Sequence, residues 1–95
     1  MRNRYLAAAI TAALTALTAP ARASLWNDEK QCAGTAAQGI TPDMVITACD
    51  AVIQDGTGGP GILAGAYYNR GLAKLRSGDK AGGDADIAAS KAMGN

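Results

Sequence analysis

Apolar residues along this chain recur at intervals of three and four, and no segment sustains the alternation of a strand. The clearest stripe is Val45, Cys49, Val52 and Ile53, at i, i+4, i+7 and i+8. Its start is signalled by Thr41 as a cap, Pro42 at the first helical position and Asp43 at the positive end of the helix dipole. Asp55-Gly56 ends it. A broader face, made of Leu63, Ala64, Tyr67, Tyr68, Gly71, Leu72 and Leu75, predicts a helix over about 62–77. Asn69 and Arg76 fall opposite that face, with Arg70 and Lys74 at one margin. Gly78 suits the left-handed residue past a helix end and Asp79 the cap of the next helix, over about 80–93. A weaker first helix, about 25–37, carries Trp26, Cys32, Ala33 and Ala36, with Gly34 arguing against it. The stretch DGTGGPG, 55–61, reads as a flexible connection. The expectation is an all-α fold of about four helices.

The fourth helix is weak by composition. Gly82 and Gly83 each cost ~1 kcal/mol relative to Ala. Its apolar groups are mostly Ala85, Ala88, Ala89 and Ala92, with Ile87 and Met93 as the sizeable ones. Such a helix needs a surface to pack on. Gly71 supplies the clue to that surface. A glycine in the middle of a buried helical face marks the close approach of another backbone, and Gly78-Asp79 turns the chain back toward it. An antiparallel hairpin with its nearest contact at Gly71 follows.

Ahead of these helices, Met1-Arg2-Asn3-Arg4 is basic and LAAAITAALTALTA, from Leu6 to Ala19, is uncharged. Pro20 breaks the run, and Ala21-Arg22-Ala23 offers a small-x-small cleavage pattern, so residues 1–23 read as a secretory signal peptide. The run of 14 residues is too short to span a ~30 Å hydrocarbon core. A periplasmic or secreted product without stable membrane anchoring is expected. Cleavage removes Arg2, Arg4 and Arg22 from nine basic residues, leaving six against eight acidic ones, a net charge of −2. With no basic cluster, nucleic acid and anionic membranes are poor partners.

The remaining 72 residues, 24–95, are few for a self-sufficient core and call for a staple. Cys32 and Cys49 are the two cysteines, and in an exported chain such a pair reads first as a disulfide, with buried free thiols as the alternative. The closed loop of about 18 residues corresponds to ~3 kcal/mol in the chain-entropy model.

From Ala64 to Asn95 the chain resembles one tetratricopeptide repeat. Tyr67, Gly71, Lys74, Gly83 and Ile87 stand at the spacings of that family's aromatic, Gly, aromatic, Ala and aromatic positions, and Ser90 at its small site. NRG (Asn69 to Gly71) and SGD (Ser77 to Asp79) are similar to common wording in bacterial members. Lys74 and Gly83 depart from the pattern, and the closing Pro is absent. Val45, Cys49 and Val52 resemble the second helix of a preceding repeat. The resemblance covers about 50 of the 72 residues. It implies antiparallel helical hairpins over 24–95 that act as an interaction module, taking a peptide, a partner protein or a second copy on a concave face. The groove-side positions it implies are Gly65, Tyr68, Asn69, Leu72 and Arg76, with Asn69 matching a place where some members hold a peptide backbone or carboxylate. Two hairpins fall short of the three or more repeats a solenoid usually needs, which puts Ile87 and Met93 on an expected contact surface. A small disulfide-stapled helical protein of structural or inhibitory type is the other reading.

Catalysis has little support. The chain has no His, and Ser24, Ser77 and Ser90 have no base near them in sequence. Asp84 and Asp86 lie two apart on a helix, so they face different ways and read as capping or solvated. DGTGGPG lacks the Lys-Ser/Thr ending of a phosphate loop. Neither a metal nor a cofactor is expected.

Overall fold

The computed structural model describes residues 21–94; the leader assigned to 1–23 lies almost wholly outside them. The described residues form α1 (Ala21–Cys32), a one-turn 3₁₀ helix (Ala36–Gln38), α2 (Pro42–Asp55), α3 (Gly59–Arg76) and α4 (Lys80–Ala92), with no strand among them. The fold is all-α, with α3 packed between α2 and α4, and α1 laid chiefly against α2.

α1 differs at both ends from its expected span. It begins at Ala21, so it runs through the boundary drawn between Ala23 and Ser24, and it stops at Cys32 instead of continuing to about 37. Gly34 explains the stop. Its N–H turns back to the Gln31 carbonyl at 2.9 Å, and a Cβ there would lie 2.7 Å from Ile40 Cγ1. The missing side chain lets Ile40 fold over the helix end. The 3₁₀ turn then forms locally: the Thr35 N–H donates to Gln38 Oε1 at 2.9 Å, and Gly39 closes it at φ 79°.

α2 follows its sequence signals. Thr41 Oγ1 accepts from the Met44 N–H at 3.2 Å, and Gly56 ends the helix at φ 69°. Val45, Ala48, Cys49 and Val52 are buried and Ile53 is half-buried. The stretch 55–61 is not the flexible connection its glycines suggested, since α3 starts at Gly59. Asp55 accepts from the Thr57 N–H at 3.2 Å and from the Thr57 hydroxyl, and Pro60 occupies the first turn of α3. Only 56–58 link the two helices.

α3 buries small residues on two sides. Ala66 and Ala73 join the core with α2, whereas Ala64 and Gly71 face α4. A helix held between two neighbours keeps its bulky side chains at the rims, so Tyr68 and Leu75 are exposed, against the single broad apolar face expected. α3 ends in a Schellman turn, with the Asp79 N–H bonded to the Lys74 carbonyl at 2.8 Å and the Gly78 N–H to that of Leu75 at 3.1 Å. Gly78 takes φ 91°, and Asp79 Oδ1 caps α4 through the Gly82 N–H at 2.9 Å.

α4 runs antiparallel to α3 at very close range. A Cβ on Gly71 would lie 2.9 Å from the Gly83 carbonyl oxygen and 2.9 Å from Ile87 Cγ1, and one on Gly83 would lie 2.8 Å from the Gly71 carbonyl oxygen. Most of the alanines of α4 lie off its packing face: Ala85, Ala88 and Ala92 are exposed. Gly83, Asp86 and Ser90, at i, i+3 and i+7, are buried instead, and the Ser90 hydroxyl donates to the Ala64 carbonyl at 2.8 Å. Of the two residues expected on a contact surface, Ile87 is half-buried against Gly71 and Met93 is exposed.

Cys32 and Cys49 are joined by a disulfide, their Cα atoms 4.7 Å apart. They sit within a core of Val45, Ala48, Val52, Ala66 and Ala73, with Leu25, Ile40, Ile46 and Ile53 around it.

Candidate functional site

Two surfaces of α3 carry the features that bear on function. The first is a groove of about 170 Å³ between α1 and α3, floored by Val52 of α2. α1 supplies Glu29 and Cys32, and Ala33 follows just past its end; α3 supplies Gly61, Ile62, Gly65, Ala66 and Asn69. Gly61 and Gly65 lie four residues apart on one face of α3, and a Cβ on either would meet no atom within 4 Å. Their missing side chains leave open space, in contrast to Gly71 and Gly83, whose missing side chains are filled by each other's helix. The volume falls below the ~300–1,000 Å³ of small-molecule pockets. It has room for about one side chain rather than an organic cofactor.

Of the five groove-side positions expected, Gly65 and Asn69, both half-buried, line this groove. Leu72 and Arg76 stand three and seven residues beyond Asn69 on the same helical face, outside the groove; Leu72 is half-buried and Arg76 exposed. Tyr68 is 40% exposed and lies outside the groove too. Glu29, Gly61 and Ile62 line it without having been singled out. Only the register of α1 against α3 brings them there, and nothing in the sequence reports that register.

The second surface faces α4 and holds an ion network. Arg70 forms a two-pronged pair with Asp86, Nε to Oδ2 and Nη2 to Oδ1 both at 2.7 Å, while Nη1 reaches Asp50 Oδ1 of α2 at 2.7 Å. Lys74 Nζ adds a contact to Asp86 Oδ2 at 3.0 Å. The guanidinium also lies 5.2 Å from the Tyr67 ring centroid, at cation–π range. Asp86 is therefore neither a cap nor solvated, as its spacing from Asp84 suggested; its side chain is only 8% exposed. The hydrogen bonds from Arg70 hold its carboxyl below the usual carboxylate range; burial opposes this and Lys74 assists. Arg70 is pushed above its ordinary value chiefly by its hydrogen bond to Asp86, again with burial opposing. The network ties α2, α3 and α4 together. Its sequence signal was the i, i+3 spacing of Gly83 and Asp86: once Gly83 is set at the crossing, Asp86 must face α3 as well.

A more open hollow of about 310 Å³ lies against Asn27, Lys30 and Gln31 of α1 and Gln38 and Ile40 beyond it. Ile40 is its one apolar wall, and Lys30 Nζ sits 5.6 Å above the exposed Trp26 ring. Among the described residues no group of three or more His, Cys, Asp or Glu is placed to hold a metal ion, and no helix is long and apolar enough to cross a membrane. Comparison with known protein families, curated proteins and solved structures finds no match for this chain.

Proposed function

We propose that this chain is an exported protein–protein interaction module whose two helical hairpins are arranged in the tetratricopeptide manner, with a peptide or partner protein bound in the groove between α1 and α3. The observation that carries the reading is the pair Gly61 and Gly65, which face open space on a helix. A glycine within a helix costs ~1 kcal/mol relative to Ala. Nothing inside the fold requires these two, so the close approach they permit is that of another chain's backbone. The hairpin crossing at Gly71 and Gly83, the turn at Gly78-Asp79 and the position of Asn69 in the groove support the repeat-type arrangement. The leader-like residues 1–23 and the Cys32–Cys49 disulfide support export into an oxidising compartment.

The test fills the groove from its α3 wall. Gly65→Leu places a large side chain where no atom of the fold stands, so folding is expected to be retained while capture of partners from an envelope extract is lost. Capture that is undiminished in a folded Gly65→Leu variant refutes the groove reading. The disulfide-stapled alternative draws on the same Cys32–Cys49 bond. It predicts that groove substitutions leave every activity unchanged.

A further inference from the structure

We infer that the groove takes a lysine side chain presented by an extended peptide and discriminates against a carboxylate. The inference rests on the groove reading and names the chemistry of its occupant. It comes from where the chain's charges are placed. Glu29 lines the α1 wall, half-buried, and forms no ion pair among the described residues. Across from it, on the α3 wall, Asn69 offers an amide that both donates and accepts. The rest of the lining is apolar or glycine, which raises the strength of any charge interaction over its value in water.

Among the described residues no cation forms an ion pair with Glu29, and Arg76, farther along α3, lies outside the groove lining. Arg70 and Lys74, the basic residues nearest the groove along α3, are engaged by Asp86 and Asp50. Lys30 lies over Trp26 and lines the other hollow. Lys80 pairs with Asp84 at the start of α4. A peptide carboxylate entering the groove would meet a like charge at Glu29 with no compensating cation, the reverse of a carboxylate clamp. An ammonium meets the Glu29 carboxylate and the Asn69 carbonyl oxygen. The aliphatic stem of lysine matches a lining of Ile62, Ala66 and Val52. A space of about 170 Å³ suits an unbranched stem with a compact head, and Gly61 and Gly65 leave room for the main chain that carries it.

The experiment uses the full oxidised chain, labelled for amide NMR, and three acetylated, amidated nonapeptides of sequence Ala-Gly-Ser-Ala-X-Ala-Gly-Ser-Ala. X is lysine, norleucine or glutamate, and the readout is the amide shifts of Gly61, Gly65 and Asn69. The lysine peptide is expected to bind about tenfold more tightly than its uncharged isostere, the effect of one charge-assisted hydrogen bond in a partly desolvated site. The glutamate peptide is expected to bind weakest. Glu29→Gln, with the spectrum outside the groove unchanged, is expected to erase the lysine advantage and leave norleucine binding as it was. Equal binding of lysine and norleucine, or tightest binding of glutamate, overturns the lysine inference and leaves the groove intact as a site. If none of the three peptides shifts the groove amides, the groove reading falls and this inference with it.

Discussion

Gly71→Ala and Gly65→Ala are the same substitution on the same helix, and the structure gives them opposite signs. Adding a methyl group to a helical glycine favours the helix by ~1 kcal/mol. At Gly65 nothing opposes that gain, because no atom lies within 4 Å of the new Cβ; the variant is expected to be more stable by about 0.5–1 kcal/mol. At Gly71 the Cβ would stand 2.9 Å from the Gly83 carbonyl oxygen and 3.1 Å from Asp86 Cβ. Ile87 Cγ1, also at 2.9 Å, can swing aside by rotation. The other two atoms cannot, since one is backbone and the other is held by the Arg70 pair. α4 must shift by several tenths of an ångström, which loosens the Arg70–Asp86 contacts as well. Overpacking of this kind costs about 1–3 kcal/mol, so after the propensity gain a net loss of up to about 2 kcal/mol is expected. Because the propensity gain is common to both, the two variants should differ by the overpacking cost of about 1–3 kcal/mol, read as urea midpoints by far-UV circular dichroism on the oxidised protein. A Gly71→Ala variant as stable as the Gly65→Ala variant refutes the close crossing as the reason for that glycine.

Asp86→Ala leaves Arg70 and Lys74 part-buried with one carboxylate fewer; about 3 kcal/mol of stability is expected to go, measured by urea denaturation. Because the Asp86 carboxyl is held below its ordinary range in the fold, its contribution is present above the unfolded value and vanishes as pH falls through the folded one. Stability should drop below about pH 4, and Asp86→Asn should flatten that part of the acid profile; an unchanged profile would contradict the assignment. Replacing both Cys32 and Cys49 with Ala is expected to lower stability by about 3 kcal/mol, with the loss read from thermal melts, and equal melts with and without the bond would remove the staple from the account. Thr41→Ala should cost about 1 kcal/mol through the lost cap at the Met44 N–H, a figure that chemical denaturation resolves.

How far the residues alone disclosed this fold depended on how local the governing physics was. The Thr41 cap, the Gly56 stop, the Gly78-Asp79 turn and the stripe Val45, Cys49 and Val52 are all decided within a few positions, and all four stand in the structure. α1 went astray because Gly34 acts through Ile40, a partner six residues on that periodicity ignores. The segment 55–61 misled because its glycines outweighed Pro60, which starts a helix, and Asp55, which orders the turn through Thr57. On α4 the spacing of Asp84 and Asp86 suggested capping or solvated carboxylates, whereas the close approach at Gly71 and Gly83 chooses the face carrying Asp86 and Ser90 and buries both. The groove disclosed Asn69 and Gly65 through the family-like spacing, but Glu29 enters it by tertiary contact.

Stability and the charge of the proposed groove are linked through that choice of face. Among the described residues the largest fully buried side chains are Cys49 and Ser90, and no bulky apolar group is fully buried. A core of cysteine, valine and alanine yields little burial energy for a chain this short, and α4 adds almost none. α4 is held by backbone proximity and by two cations from α3 converging on Asp86. Those cations, once committed there, are lost to the opposite side of α3, where Glu29 is left as the unbalanced charge of the groove. The arrangement that fastens the weakest helix thus also sets the sign of the site. A chain of the same shape with a larger apolar α4 would have no need of Arg70 and Lys74 at the crossing, and the charge of its groove would be free to differ.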